Sequence, residues 1–378
     1  MNKDIKKKVA FLLDGFGNRR HYIQLLALKE AGFEPKIITF EQAKEGYVSA
    51  KGIAKDFSII LPFPRSKIMK TFSIKCALTL LKLLKNENIQ IVLTHRYKLL
   101  RYLWFCKFFY PQLKIIFHIV IAESIKRWHQ RFLFKICKKW IDKILVNSLN
   151  LKEELIRKKL ASEKEIEIFY SGLDISEFEI NISKAKAKSL FKLEENVFVF
   201  GMIAQFRKEK DQKGVIKALK LLKEKGYKVR LILTGNGPKF NECRKLVKKL
   251  KLEKEVIFTG RINPLEIPVL LKALDAFVYA TFKEGMPMAV LEAMASELPI
   301  IATEAEGLPD IFQSPYTFGI LIPKGNIEKI AEAMEKIINL SEEERILWGK
   351  RAKERIKDFF SSEHLKERTI KLFQELSI

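Results

Sequence analysis

Short apolar runs alternate with longer amphipathic stretches along this chain, and the alternation runs through twice. Val9–Leu13 reads as a buried strand, followed by a turn at Asp14-Gly-Phe-Gly-Asn18 and a helix from about Arg19 to Ala31 that stops at Gly32. Lys36–Phe40, Ser58–Leu61, Ile89–Thr94, Leu113–Ile119 and Lys143–Val146 are further strand candidates, separated by segments long enough for helices. Such alternation predicts a parallel sheet covered on both faces. After a lysine-rich, turn-poor stretch, Ser183–Ser189, the pattern restarts with Asn196–Ile203, Lys228–Thr234, Val256–Thr259, Ala276–Ala280 and Ile300–Thr303. The expected class is α/β, with two doubly wound units and a hinge near residues 175–192. The expected domains are 1–180 and 181–356, the tail 357–378 folding back onto the first. Doubly wound sheets bind ligands at the carboxyl ends of their strands. Two in sequence are therefore expected to face one another across a cleft, an arrangement that suits a two-substrate reaction.

A length of 378 residues accommodates two domains, and 48% apolar with 30% charged residues is the balance of a folded chain. Cys76, Cys106, Cys137 and Cys243 are scattered without metal-ligand spacing, as expected of free thiols in a reducing compartment. No signal peptide is read at the N-terminus, and the longest uncharged apolar stretch near the middle, Ile115 to Ala122, is far short of the roughly 20 residues that span a bilayer. Charge is unevenly spread. Residues 1–150 hold 29 Lys and Arg against 10 Asp and Glu, whereas the remaining 228 hold 41 against 35. The asymmetry points the first half toward an anionic partner, although lysine abundance throughout the chain also contributes to the total.

The most specific pattern is Lys283-Glu-Gly-Met-Pro-Met-Ala-Val-Leu-Glu292-Ala-Met-Ala-Ser-Glu-Leu-Pro-Ile-Ile-Ala-Thr303. It reads as a strand-turn-helix-strand corner: the turn at Glu284-Gly285, Pro287 at the first helical position, and a helix to about Ser296. A helix N-terminus beside a glycine offers free N–H groups and a favourable dipole to a phosphate. Two carboxylates, Glu284 and Glu292, flank that anion site. They make chemical sense there as acceptors for sugar hydroxyls.

The Glu284-x7-Glu292 spacing within EGMP…LEAMA resembles the signature of the family-4 retaining glycosyltransferases, which have the GT-B architecture of two Rossmann-like domains. Gly201–Lys210, Leu231–Pro238, Val256–Gly260, Ala305–Asp310 and Tyr170–Phe178 are similar to further segments of that family. The resemblance implies that Glu284 contacts the donor sugar near the reacting centre, next to the Gly285-Met286-Pro287 turn. It implies that Glu292 holds the nucleotide ribose, and that N–H groups from Met288 to Leu291 bind the distal phosphate. Lys210 takes the place of the phosphate-neutralising lysine. Gln205 stands where the family has arginine, and Arg207 is expected to substitute for it. Ile262, just past the Gly260 turn, would meet the base through its main chain, and Gly235, a turn former, is also placed among the donor-binding residues. In the first half, His118 stands where the family places a histidine facing the donor sugar, Gly15 and Gly17 would let the chain approach the diphosphate, and His95 could line the acceptor side. His118 in an apolar run fits a buried core histidine equally well.

Glycosyl transfer leaves a nucleoside diphosphate whose charge must be stabilised. No Asp-x-Asp triplet occurs in the chain, so metal-independent transfer is expected, with Lys210, Arg207 and a helix N-terminus in the metal's role and no cofactor beyond the nucleotide-sugar substrate. Retention of anomeric configuration follows from the resemblance alone. The expected function is transfer of a hexose, from a UDP-sugar by preference, to a lipid-linked, lipopolysaccharide or other cell-surface glycan. Lys98–Tyr110 and Ser124–Trp140 interleave Trp and Phe with Lys and Arg at helical spacing, as in proteins that sit on anionic lipid. A cytoplasmic protein peripheral on the inner membrane face is therefore expected. A nucleic-acid-binding role is suggested only by the pI of about 9.7 and finds no reader motif. A synthase, phosphorylase or epimerase of the same architecture is the nearer alternative.

Overall fold

A computed structural model describes residues 7–44, 47–120, 125, 128–313, 315 and 317–377. The chain forms two compact units, residues 1–172 with 362–378, and residues 173–361. The first is built on β1 (Lys8–Leu12), β2 (Glu34–Glu41), β3 (Ser58–Pro64), β4 (Ile89–Thr94), β5 (Lys114–Ile119), β6 (Lys143–Val146) and β7 (Ile166–Ile168). They pair in the order β3-β2-β1-β4-β5-β6-β7, every pairing parallel. The second holds β8 (Phe198–Ile203), β9 (Val229–Thr234), β10 (Val256–Gly260), β11 (Ala276–Tyr279), β12 (Ile300–Thr303) and β13 (Gly319–Ile322). Their order, β10-β9-β8-β11-β12-β13, is likewise all parallel.

Parallel strands need crossovers, the crossovers cover both faces, and the strands can therefore be almost wholly apolar. Val9 to Leu12 and Ile300 to Thr303 are buried without interruption. In the first unit the helices Ile74–Asn86, Tyr97–Phe109, Trp128–Cys137 and Leu149–Arg157 share one core, which includes Leu80, Leu103, Phe134 and Leu155. The opposite face is covered by the helices Arg19–Glu30 and Ser362–Glu375, with Phe373 packed on Phe11 and Phe33 at ring separations of 6.0 and 6.4 Å. The edge strands β7 and β13, three and four residues long, are absent from the sequence reading because runs this short carry little periodic signal.

The lysine-rich stretch does not form the division between the units. Residues Lys184–Leu190 form a helix whose N-cap, Ser183, accepts from Lys186 N–H. Buried Lys188 donates to Glu195 O at 2.9 Å and Val197 O at 2.8 Å and lies 3.2 Å from Asp275. These bonds fasten the helix to the strand bases of the second unit. The units divide instead between Gly172 and Leu173, and again between Ser361 and Ser362. There Leu173 N–H donates to Phe360 O at 2.8 Å, so residues 173–180 and 357–361 belong to the second unit.

In each sheet the chain first builds outward from the starting strand, then returns to that strand's other side. The reversals fall between β1 and β4 and between β8 and β11. At such a switch point the neighbouring crossovers leave in opposite directions and open a crevice beyond the strand ends.

The helix Glu342–Phe359 lies against the turn that follows Met288–Ala295, through a glycine. A Cβ on Gly349 would stand 2.0 Å from the backbone oxygen of Glu297, itself at φ 58°. A backbone atom cannot rotate away. Gly349→Ala is expected to destabilise the protein by about 1–3 kcal/mol, read as a lower urea midpoint with an unchanged slope.

Candidate active site

At the reversal in the second sheet, β8 runs out into Ala204-Gln205 and β11 into Ala280-Thr281. The two loops are stitched together: Asp211 N–H donates to Ala280 O at 3.0 Å, Phe282 N–H to Glu209 O at 2.8 Å, and Lys210 forms an antiparallel bridge with Thr281. This pairing brings Lys210 to Glu284, 74 residues further along. Lys210 Nζ donates to the Tyr279 hydroxyl at 3.0 Å and to Thr281 Oγ1 at 3.4 Å, and forms an ion pair with Glu284 Oε2. Tyr279 in turn donates its O–H to the same carboxylate oxygen at 2.7 Å. The two charged side chains are only 14% and 18% exposed, so their attraction is little screened by solvent.

Tyr279 was not singled out from the sequence. It reads as one more apolar residue in a strand, and its partner Lys210 arrives through a bridge between distant loops. Burial, reinforced by the Glu284 charge and its hydrogen bond, pushes the phenol well above its ordinary range. It therefore remains a hydrogen-bond donor at neutral pH. Glu292, half-buried on the next helix, also acts on this hydroxyl through its charge. The structure thus gathers Lys210, Glu284 and Glu292 around one tyrosine.

The turn is held from both sides. Glu284 N–H donates to Glu306 Oε2 at 2.8 Å, and Gly285 N–H to Glu284 Oε1 at 3.2 Å. The following helix spans Met288–Ala295 with Pro287 as its N-cap, so it begins one position later than the sequence suggests. Pro287 O already accepts from Val290 N–H at 3.1 Å and from Leu291 N–H at 3.4 Å. This corrects the expectation for Leu291: its N–H belongs to the helix. An incoming anion would meet Met288 and Ala289 in the first turn. Gly285, Met286, Pro287 and Leu291 are buried, so what they offer is backbone shape.

Gly235 has φ 130°, and a Cβ there would stand 2.2 Å from Ala204 O, so only glycine lets the β9 loop approach the β8 loop. Gln205 and Arg207 are exposed beside it, joined through Arg207 N–H to Gln205 O at 2.9 Å. Ile262 is half-buried just beyond the Gly260 turn.

The remaining residues lie in the first unit. Gly15 bridges to Lys44, and Gly17 turns the chain at φ 87° into the Asn18 cap of the helix Arg19–Glu30. His118 is wholly buried, its ring 4.9 Å from that of His95 and 5.7 Å from that of Phe169. Burial, with the nearby Arg20 charge a lesser cause, holds it well below the usual histidine range.

Two family models match the chain in succession, Glycosyltransferase Family 4 over residues 20–177 and Glycosyl transferases group 1 over residues 181–355. The chain belongs to the family-4 glycosyltransferases. Among similar family members is the capsular polysaccharide biosynthesis glycosyltransferase CapM of Staphylococcus aureus, 28% identical over 231 residues. That match spans 58% of this chain and 58% of CapM. The UDP-Gal:alpha-D-GlcNAc-diphosphoundecaprenol alpha-1,3-galactosyltransferase of Escherichia coli is 27% identical over 281 residues, 70% of this chain and 72% of that protein. Among solved structures, Anabaena HepE in complex with UDP and glucose aligns with a TM-score of 0.81 at 16% identity, over 98% of this chain and 100% of that one. This last likeness is one of fold. The fold is that of GT-B glycosyltransferases, two parallel-sheet, Rossmann-like units.

Hydrogen bonds to charged groups contribute about 1.5–3 kcal/mol each, and the Tyr279 hydroxyl touches two charges. Tyr279→Phe is expected to lower kcat about 10- to 100-fold and to lower the melting temperature by a few degrees. An unchanged kcat would reduce the hydroxyl to a packing role.

Proposed function

We propose that this chain moves a hexose from a UDP-sugar to a lipid-linked or cell-surface glycan, with retention and without a metal. The observation that carries the reading is the buried Lys210–Tyr279–Glu284 cluster beside the first turn of Met288–Ala295, at a switch point of a doubly wound sheet. A diphosphate against Met288 and Ala289 would compete with Glu284 for the Lys210 ammonium. Lys210 would then neutralise the charge that develops on the departing diphosphate. Glu284, released from the ammonium but still bonded to Tyr279, would be free to accept from sugar hydroxyls. Glu292, a turn and more along the helix, is suited to the ribose.

The nucleotide is inferred from the relatives, one named for UDP-Gal and another solved with UDP. Among the described residues no group of three His, Cys, Asp or Glu is placed to hold a metal ion. The test is a thermal melt with UDP, UDP-sugars and other nucleotide sugars, followed by turnover and product analysis with the sugar that binds. UDP at a hundredfold excess over its Kd should stabilise by about 2.7 kcal/mol. Lys210→Ala should lose most of that gain. Glu284→Gln should retain it and lose turnover about 100-fold or more, while chelator leaves wild-type turnover unchanged. No response to any nucleotide sugar would refute the reading.

The acceptor side is proposed to rest on anionic lipid. Between residues 57 and 141 there are 17 Lys and Arg and only two acidic residues, Glu87 and Glu123. The helices covering one face of the first sheet expose large apolar side chains among these charges. Trp128 is 79% exposed, with Phe132 and Ile136 at following helical turns, and Phe108 and Phe109 end a neighbouring helix. Lys126 and Arg127 lie outside the described residues. Among those described, no helix is long and apolar enough to cross a membrane, so contact would be peripheral. Binding to vesicles containing anionic phosphatidylglycerol is expected to weaken with salt and with Lys/Arg→Glu changes within 126–139. Binding indifferent to both would refute peripheral attachment.

A further inference from the structure

The first sheet has its own switch point, between β1 and β4, and a cation is buried there without a counter-charge. The helix that follows β1 begins with Arg19, Arg20 and His21, all buried in its first turn. At the end of β4 stands His95, and near the end of β5 His118.

Backbone groups at both ends fix the histidine tautomers. Asn18 N–H donates to His21 Nδ1 at 3.1 Å, so His21 carries its proton on Nε2. His95 Nδ1 faces the carbonyl oxygen of His118 at 3.3 Å and must donate to it, which leaves His95 Nε2 as an acceptor. His21 Nε2–H then donates to His95 Nε2 at 2.8 Å. His21 and His95 are thus neutral and hydrogen-bonded at both nitrogens.

The charge in this cluster is that of Arg20, which is 6% exposed. One of its five N–H groups reaches His95 Nε2 at 3.3 Å, and its buried Nε–H finds no partner. One turn on, both amide atoms of the fully buried Gln24 are also unpartnered, as are both ring nitrogens of His118. Among the described residues no carboxylate pairs with Arg20. The carboxylate at the end of β1, Asp14, is held by Arg65, whose Nε donates to its carbonyl oxygen and Nη2 to Oδ2, both at 2.7 Å, with Arg96 at 3.6 Å. An uncompensated buried cation is strongly destabilising, and such groups concentrate at sites of function.

We propose that Arg20 is the counter-charge for an anionic group of the sugar acceptor, a phosphate ester or a carboxylate, seated at the β1/β4 switch point with Gln24 and His118 as further polar partners. The assignment to an acceptor rests on the transferase reading above; the anion site itself does not. A phosphate could also come from the donor's diphosphate, and the experiment separates the two.

The full chain is melted in phosphate-free buffer, then with inorganic phosphate, and separately with UDP, as wild type, Arg20→Met, Arg20→Lys and Lys210→Ala. Without ligand, Arg20→Met should melt higher than wild type, because the stranded charge is gone. Phosphate should raise the melting point of wild type and of Lys210→Ala, partly that of Arg20→Lys, and not that of Arg20→Met. The UDP response should survive in Arg20→Met and fall in Lys210→Ala. Equal phosphate responses in wild type and Arg20→Met would overturn the site, and so would an Arg20→Met protein that melts lower and a wild type that ignores phosphate. Loss of the UDP response in Arg20→Met would overturn the acceptor assignment. Wild type that responds to phosphate but to no nucleotide sugar would sink the transferase reading while leaving the anion site standing.

Discussion

Parallel pairing is the constraint from which the rest follows. A strand that pairs only with parallel neighbours must be reached by a crossover, the crossovers bury both faces, and the polar groups of the chain are driven to the strand ends. Within each sheet the order of construction reverses once. At the reversal the neighbouring crossovers leave in opposite directions and open a crevice beyond the strand ends. Each unit places its most unusual electrostatics at that gap: an ion pair fastened by a phenol in one, a lone guanidinium among neutral imidazoles in the other.

The two arrangements differ in how the charge is balanced. Lys210 and Glu284 satisfy each other, so the two charges of the second unit's cluster are balanced within the protein. Tyr279 keeps that pair from drifting, because its hydroxyl is bonded to both members. Arg20 lacks such a partner, and its burial lowers its affinity for the proton to about 10, still high enough to keep it charged at neutral pH.

Much of the fold was legible because strands covered on both faces must be apolar, and runs such as Ile89–Thr94 and Ile300–Thr303 have no other use. The corner around Glu284 was legible because glycine, proline and two carboxylates fall within a few residues of one another. What escaped was set by distance or by composition. Tyr279 meets Lys210 only after residues 69 positions apart are brought together, and the His21–His95 bond spans 74. Ser183–Ser189 reads as a lysine-rich stretch within the expected hinge near residues 175–192. It is a helix because a serine caps it and buried Lys188 finds two carbonyl oxygens. Pro287 suits either the cap or the first helical position on chemistry alone, and the preceding turn decides which.

The return of Ser362–Glu375 to the opening sheet has a consequence for biosynthesis. The surface formed by Phe11, Ile23, Leu28 and Phe33 is translated more than 300 residues ahead of Leu365 and Phe373, which shield it. Until Ser362–Glu375 has been made, the nascent first unit lacks the helix that covers this part of its apolar face.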